Sequence, residues 1–257
     1  MKRVALAAGA ALFLLVPAAL AEETETAEKS GWTGEGALSA GLSRGNTNTS
    51  DIGLKFDVAR DTGLWDFGLL LEGDYGKQDG VESRNRAFAA LDIGRDINER
   101  LFAFGRASYE VDQFTGFDSR TFAGGGLGYH VAMDGPLTWT VKGGPGVKVD
   151  EVKRVVTVDD QNMLLIIPAM RETSFGAVGT SELKWALNDA VTLSNDSGVV
   201  YAKESTQLST GVALTAALNG SLKARVSFDT RYDTNPPLGF DSTDTASKIA
   251  LVYTLGE

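Results

Sequence analysis

The chain has 257 residues, of which 43% are hydrophobic and 23% are charged, with a formal net charge of −10 and no cysteine. The acidic balance argues against a nucleic-acid partner, because phosphate binding needs a basic surface. The absence of cysteine excludes disulfides and any zinc site of the cysteine type.

The N-terminus predicts a secretory signal peptide over residues 1–21. Lys2 and Arg3 precede an apolar run at 4–16. We therefore expect export across the inner membrane of a bacterium, which changes the formal charge from −10 to −12 as the two basic residues are lost. Residues 22–31 are acidic and without periodicity, which predicts a flexible periplasmic leader. No later apolar run reaches the length of about 18 residues that a spanning helix needs.

From residue 32 onward, apolar and polar residues alternate with a period of two. The pattern is clearest at 64–76, where one set of alternate residues runs from Trp65 to Tyr75 and is mainly apolar. The other set holds three carboxylates, Asp66, Glu72 and Asp74. A strand presents two such sets on opposite faces, so one face suits hydrocarbon and the other suits a polar interior.

Twelve segments of this kind predict one domain over residues 32–257. The fold class that we predict is all-β, an antiparallel up-and-down transmembrane β-barrel of about 12 strands. The seventh and eighth strands are expected to continue into a long hairpin with its tip at 159–162. In chain order the segments are about 33–43, 51–58, 64–76, 84–93, 101–112, 120–131, 137–158, 163–185, 191–201, 208–218, 222–232 and 244–255.

Connection lengths orient the barrel, because outer-membrane barrels have short periplasmic turns and longer outer loops. The short connections, assigned to the periplasm, are 61–63, 96–100, 133–136, 187–189 and 219–220. The alternate connections, mostly longer and assigned to the outside, include 77–83, 114–119, 152–171 and 234–243.

Aromatic residues mark both predicted membrane interfaces, where amphipathic rings collect. Those at predicted periplasmic ends are Trp32, Trp65, Trp139 and Trp185. Those at predicted outer ends are Tyr75, Tyr109, Tyr201 and Tyr232. A soluble β-sandwich is the alternative fold, but it would bury its tryptophans in the middle of strands.

The predicted inward faces carry charges of both signs. The candidate lumen charges are Asp66, Glu72, Asp74, Arg84, Arg86, Arg106, Glu110, Lys142, Lys184, Lys223, Arg225, Asp229 and Arg231. One interpretation is a salt-bridge network that fills a narrow lumen and stiffens the wall. The other is a selectivity surface for a small polar or charged solute. Mixed signs favour the first interpretation, since no ring of a single sign is visible.

Motifs that could carry chemistry are weak. Residues 41–45 match the Gly-x-Ser-x-Gly elbow of serine hydrolases, but that motif needs a strand followed by a helix. His130 is the only histidine and is interpreted as lining the lumen. Residues 124–128 are four glycines around one leucine and lack the spacing of a dinucleotide site, so we expect them to relieve wall curvature. We predict no catalytic residue, no cofactor and no metal site.

Four motifs carry a resemblance to a known family. They are Gly-Ala-Leu-Ser-Ala-Gly-Leu-Ser-Arg-Gly-Asn-Thr-Asn at 36–48, Leu-Glu-Gly-Asp-Tyr-Gly at 71–76, Asn-Glu-Arg-Leu-Phe-Ala-Phe at 98–104 and Gly-Gly-Gly-Leu-Gly-Tyr at 124–129. The chain resembles the salt-induced outer-membrane protein family, a domain of unknown function numbered 481. The resemblance implies an outer-membrane barrel of unestablished molecular role. Outer-membrane barrels usually close with a final strand that ends in an aromatic residue. Residues 253–257 of this chain do not end in one.

These observations together predict an outer-membrane β-barrel protein of the bacterial envelope, structural or a narrow pore for small polar solutes, and not an enzyme. Two alternatives remain open: a barrel enzyme acting on envelope lipid or peptide, and an adhesin-like barrel acting through the long outer hairpin. The expected partners are outer-membrane lipid, lipopolysaccharide and the barrel-assembly machinery. Lys153, Arg154 and Arg171 form a basic cluster that could meet lipopolysaccharide phosphates. The oligomeric state is left open.

Overall fold

The structure is a computed structural model that describes residues 31–43, 49–158 and 164–256. The predicted signal peptide, nearly all of the predicted leader and the predicted hairpin tip lie outside these residues. The described residues form strands and turns, and they include no helix long and apolar enough to cross a membrane.

Fourteen strands follow one another in the described chain. Their bounds are β1 Trp32–Ser43, β2 Thr49–Asp61, β3 Trp65–Gln78, β4 Val81–Asp96, β5 Leu101–Asp112, β6 Phe117–Ala132, β7 Leu137–Val152, β8 Val155–Val158, β9 Leu164–Ile167, β10 Met170–Asn188, β11 Val191–Ala202, β12 Gln207–Asn219, β13 Leu222–Asp233 and β14 Thr243–Leu255.

Twelve of these strands close into one antiparallel barrel, in which each pairs with its neighbours in sequence and β7 pairs with β10. The barrel closes where β14 pairs with β1, from Gly34 opposite Leu255 to Ala40 opposite Ile249. Closure removes the unpaired edges that an open sheet would expose. The predicted all-β antiparallel barrel of twelve strands is confirmed.

The outer face of the wall is apolar along most strands. Leu54, Leu91, Val226 and Ile249 are among the large apolar side chains that lie exposed around the barrel. A soluble monomer rarely exposes a continuous apolar band of this kind. Such a band suits contact with hydrocarbon.

The two ends of the barrel differ in their connections. At one end, called the turn end, the connections are 62–64, 97–100, 133–136, 189–190 and 220–221. At the other end, called the loop end, they are 44–48, 79–80, 113–116, 153–169, 203–206 and 234–242. The short connections predicted for the first end are confirmed.

The long connection predicted over 77–83 is wrong. β3 and β4 extend towards each other and are joined by Asp79 and Gly80 alone, whose φ angles are 50° and 82°. Two residues with positive φ make the tight hairpin turn that Asp-Gly favours. The polar residues on both sides of this turn resembled a loop because the alternation of apolar and polar residues is lost there.

The connection between β7 and β10 also differs from the prediction. The wall strands end at Val152 and begin again at Met170, and β8 pairs with β9 in a separate two-stranded sheet. Pro168 lies between β9 and β10, and proline has no N–H to continue a strand ladder. The hairpin is therefore a separate element rather than a continuation of the wall.

Candidate functional site

The lumen side of the wall is identified by one contact between opposite strands. Arg231 on β13 places Nη1 3.0 Å from Glu110 Oε1 on β5. These strands are six places apart in either direction around the twelve-stranded barrel. A contact of this kind can only cross the interior, so both residues belong to inward rows, and the period of two assigns the rest.

All the lumen charges predicted from the sequence lie on inward rows of the described strands. Those with an ion-pair partner are Glu72, Asp74, Arg84, Arg86, Arg106, Glu110, Lys142, Arg225 and Arg231. Asp66, Lys184, Lys223 and Asp229 are likewise inward by register. Their part in selectivity stays a prediction.

Arg86 lies at the centre of the ion pairs in the loop-end half of the lumen. Its Nη1 is 2.8 Å from Glu72 Oε2, and its Nε is 2.5 Å from the same Glu110 Oε1 that Arg231 contacts. Asp74 lies 3.5 Å from Arg86 and 2.6 Å from Lys248 Nζ on β14. A continuous series of ion pairs thus links β14, β3, β4, β5 and β13.

A second bridge joins β6 to β13, five strands away. Arg120 Nη2 is 2.5 Å from Asp233 Oδ2, and the Arg120 guanidinium stacks on the ring of Phe117, 3.4 Å from its centroid. Asp233 also accepts a 2.6 Å hydrogen bond from Ser205 Oγ. The loop 203–206 therefore folds inward and helps to fill the mouth.

Lys148 and Asp150 complete this half. Lys148 Nζ is 2.7 Å from Asp150 Oδ2 and donates to the Ser205 carbonyl oxygen at 3.3 Å. The two residues are only 3% and 4% exposed. Charges so far removed from water are stable only when paired, because desolvation of an isolated charge costs several kcal/mol.

We call this group the loop-end network. It contains five acidic and five basic residues, so its formal charge is zero. Its members are Glu72, Asp74, Arg86, Glu110, Arg120, Lys148, Asp150, Arg231, Asp233 and Lys248. The sequence analysis named five of them as lumen charges (Glu72, Asp74, Arg86, Glu110 and Arg231). The other five were not named, and nothing in the spacing of a strand shows which of them meet across the lumen.

The loop between β13 and β14 lies against the opposite rim. Gly116, in the connection between β5 and β6, has a φ of 74°, and a Cβ added there would meet Phe240 at 2.6 Å. Phe117 beside it is buried. At the loop end, side chains therefore bridge the lumen within the wall, and a loop lies above them.

The turn-end half of the lumen is built differently. Arg225 holds Glu35 through two bonds of 2.6 and 2.8 Å and donates from Nε to Thr215 Oγ1. Lys142 pairs with Glu182 at 2.7 Å. These pairs join neighbouring or next-but-one strands and do not cross the lumen. The side chain of Glu182 is 43% exposed, and that of Asp57 is 47% exposed.

Two glycines of the motif on β6 have a role that the sequence analysis did not predict. A Cβ on Gly128 would lie 2.1 Å from Phe102 Cζ, and one on Gly124 would lie 2.7 Å from Phe122 Cζ. Aromatic rings from the inward rows therefore occupy the space that these glycines leave. The need for close approach of a ring, rather than wall curvature alone, accounts for glycine here.

No hydrolase arrangement joins the residues that matched one in sequence. His130 stacks on Phe102, with ring centroids 4.8 Å apart, and its Nδ1 is 3.0 Å from Thr140 Oγ1. Ser43 ends β1 at the loop end, whereas His130 lies near the turn end of β6. Within the described residues, β1 is followed by the strand β2 and not by the helix that the motif requires.

The structure places all eight predicted interface aromatics on the outward face, where each is exposed. The four tryptophans lie at the turn end, and the four tyrosines lie towards the loop end. Tyr129 and Tyr253, which the sequence analysis did not assign, are also exposed and lie at the turn end. Their positions in the apolar sets of β6 and β14 were the available signal. Contact of these rings with a membrane interface stays a prediction.

Solved structures similar to this chain are distant in sequence. The translocator domain of the autotransporter NalP from Neisseria meningitidis has 14% identity over 87% of this chain and 88% of that chain, with a TM-score of 0.49. The NanC porin has 8% identity over 88% and 100%, with a TM-score of 0.47. The COG4313 outer membrane channel from Pseudomonas putida F1 has 8% identity over 87% and 93%, with a TM-score of 0.46.

No curated protein sequence matches the chain. A family profile described as "Protein of unknown function, DUF481" matches residues 36–255, which is nearly the whole barrel. This match confirms the family number that the four sequence motifs indicated. The chain therefore belongs to the DUF481 family of proteins of unknown function.

Proposed function

We propose that this protein spans the bacterial outer membrane as a narrow pore for small polar solutes, and that the loop-end network closes the pore. The observation that carries the proposal is the Arg231–Glu110 bridge across the lumen. The wall has an exposed apolar outer face with aromatic rings towards both ends, which supports the membrane location.

The lining supports a path for polar solutes. The turn-end half holds exposed carboxylates and amines that need water, so a hydrated vestibule reaches into the barrel from that side. Among the described residues, the side chains that meet across the lumen lie in the loop-end half. Movement of Arg231, whose side chain is 41% exposed, removes the contact between the most distant strands.

Location and expression form part of the proposal. The turn end faces the periplasm and the loop end faces the outside, following the rule for outer-membrane barrels. A signal peptide delivers the chain, the barrel-assembly machinery inserts it, and expression rises with salt as the family resemblance implies. Membrane fractionation of cells grown at low and raised salt, with a comparison of boiled and unboiled samples on a gel, tests these points.

The contact that we propose with lipopolysaccharide involves two of the three cations that the sequence indicated. Lys153 Nζ donates to the carbonyl oxygens of Asp112 and Gln113 at 3.0 and 2.8 Å. This lysine therefore fastens the hairpin base to the barrel rim. Arg154 and Arg171 remain the exposed cations that we propose for phosphates of the outer leaflet.

Conductance in a planar lipid bilayer tests the pore. Arg231→Ala shortens a bridging side chain, so we expect a several-fold rise in single-channel conductance over the wild type. Lys142→Ala is the matched control, because it removes an inward cation from the turn-end half, which is already hydrated. If both the folded wild type and Arg231→Ala insert and carry no current at any voltage, the pore is refuted and a structural role is left.

A further inference from the structure

Two arginines lie on the outside of the barrel at the turn end. Arg60 is the last residue but one of β2, and Arg95 is the last but one of β4. Both belong to outward rows, in line with exposed apolar residues such as Ile93. Both are exposed, in a position that an ordinary lipid-facing row would give to an apolar residue.

Each of these arginines stacks on a tryptophan of the neighbouring strand. Arg60 is paired in register with Trp32, and its Cζ is 5.5 Å from the centroid of that ring. Arg95 is paired with Trp65, and its Cζ is 5.2 Å from the centroid. A guanidinium held over a ring by a cation–π contact still has N–H groups available to donate to another partner.

The two guanidinium groups differ from those inside the barrel. Among the described residues, neither Arg60 nor Arg95 forms an ion pair. The lumen arginines are all paired with carboxylates, namely Arg84, Arg86, Arg106, Arg120, Arg225 and Arg231. The nearest acids in sequence, Asp61 and Asp96, fall on the inward rows by alternation. The outer surface around Arg60 and Arg95 is therefore locally positive on an acidic protein.

We propose that the Arg60–Trp32 and Arg95–Trp65 pairs bind the phosphates of anionic glycerophospholipids in the leaflet at the turn end. The proposal rests on the membrane location given under the proposed function. A planar guanidinium matches a phosphate through two parallel N–H donors, and the tryptophan holds it at headgroup depth. Since the two arginines lie on strands two places apart, they are roughly 10 Å from each other. Each arginine therefore takes its own phosphate.

The chain contains its own control for this site. Trp139 and Trp185 lie at the same end and are also exposed, but no guanidinium stacks on either ring among the described residues. The double variant Trp139→Phe/Trp185→Phe reports fluorescence from the two proposed sites. The double variant Trp32→Phe/Trp65→Phe reports from the control positions.

The experiment compares these variants in two sets of vesicles. One contains phosphatidylglycerol with brominated acyl chains, and the other contains the same mole fraction of phosphatidylcholine with brominated acyl chains. Bromine quenches nearby tryptophans. We expect stronger quenching by phosphatidylglycerol at Trp32 and Trp65, from a local enrichment of roughly fivefold per arginine. Quenching at Trp139 and Trp185 is expected to be equal for the two lipids. Adding Arg60→Gln/Arg95→Gln to the first variant is expected to abolish the difference, and Arg60→Lys/Arg95→Lys to retain part of it.

Three results would overturn the lipid site: equal quenching at all positions, the same enrichment at Trp139 and Trp185, or enrichment that survives the glutamine substitutions. Should a tryptophan variant fail to insert, the urea midpoint of the otherwise natural chain gives the second measurement. There, phosphatidylglycerol should raise the midpoint of the wild type and not of Arg60→Gln/Arg95→Gln. A wild type that inserts in neither lipid refutes the membrane location as well, whereas a barrel that inserts without conducting leaves the lipid site standing.

Discussion

The two halves of the lumen carry the same kinds of side chain and use them differently. In the loop-end half, ion pairs join strands that lie on opposite walls, and Lys148 and Asp150 are almost fully buried. In the turn-end half, pairs join nearby strands, and Glu182 is well exposed. The difference lies in which walls meet, because both halves mix acids and bases. A charged lining therefore predicts neither a seal nor a path on its own.

The burial of the ion pairs affects how much each one contributes to stability. Buried charges depend on their partners, and breaking one buried pair leaves an uncompensated charge. Exposed pairs are screened and contribute little. Substitutions of equal chemistry in the two halves should thus differ strongly in their effect on the free energy of unfolding.

The largest effect is expected from Lys148→Ala. The substitution leaves Asp150 buried beside the barrel wall without its 2.7 Å partner, which should lower the free energy of unfolding by about 3–5 kcal/mol. Lys142→Ala, its counterpart in the turn-end half, should cost less, because the Glu182 carboxylate that it leaves behind is 43% exposed. Equilibrium unfolding in urea from lipid vesicles measures both, and equal losses would contradict the distinction between the halves.

A smaller loss of stability is expected from Gly128→Ala, which tests the packing of the Phe102 ring in the turn-end half. Gly128→Ala brings a Cβ to within 2.1 Å of the Phe102 ring, so the ring must move off His130 at a cost of about 1–3 kcal/mol. Gly73→Ala is the control, since an added Cβ there meets nothing within 4 Å. A change within about 0.5 kcal/mol is expected for the control. If the two variants unfold at the same urea concentration, the ring does not need the glycine.

Arg225→Lys tests whether the Arg225–Glu35 pair in the turn-end half stabilises the barrel more than the Arg106–Asp92 pair does. Lysine cannot reproduce the two bonds to Glu35 together with the bond to Thr215, so we expect a loss of about 1–2 kcal/mol. Arg106→Lys should change the free energy of unfolding by less, because Arg106 contacts Asp92 through one nitrogen at 3.2 Å. The reverse order of the two losses would refute this assignment.

The smallest effect is expected from the hydrogen bond between Ser174 and Glu204, whose contribution to the order of the loop 203–206 depends on pH. The Ser174 hydroxyl donates to the Glu204 carboxylate and holds the pKa of Glu204 below its ordinary value. A lowered pKa means that the stabilisation is present above the ordinary pKa and is lost as the pH falls through the folded value. We expect Ser174→Ala to speed amide hydrogen exchange in this loop at pH 7, and we expect its effect to disappear as the pH falls below the folded pKa of Glu204. A difference that persists in acid would show that the carboxylate is not involved.

Much of the fold followed from local pattern. The number of wall strands, the short turns and the outward aromatics all derive from alternation and turn residues. The error over 77–83 had a visible signal, since Asp79-Gly80 is a typical two-residue hairpin turn. The separate hairpin had one too, in Pro168. The first was missed because the apolar alternation is lost at 77–83, so these strand ends resemble a loop. The second was missed because the apolar residues at 155–158 and 164–167 resemble a continuation of the wall strands.

The candidate site was predicted only in part, for a physical reason. Alternation indicates which residues point inward, but Arg231 and Glu110 are 121 residues apart in the chain. Nothing in the spacing of either strand shows that their walls come within reach of each other. Lys148 and Asp150 were passed over because their burial depends on Ser205, which a loop carries into the lumen.

By itself, the sequence determined the wall: twelve amphipathic strands with hydrocarbon-compatible residues on one face and charges on the other. It could do so because the period of two is a property of each strand alone. Only the tertiary structure decided that ion pairs join opposite walls in the loop-end half and nearby strands in the turn-end half. That outcome depends on the cross-section of the closed barrel and on the loops folded into it, which set the distance between residues far apart in the chain.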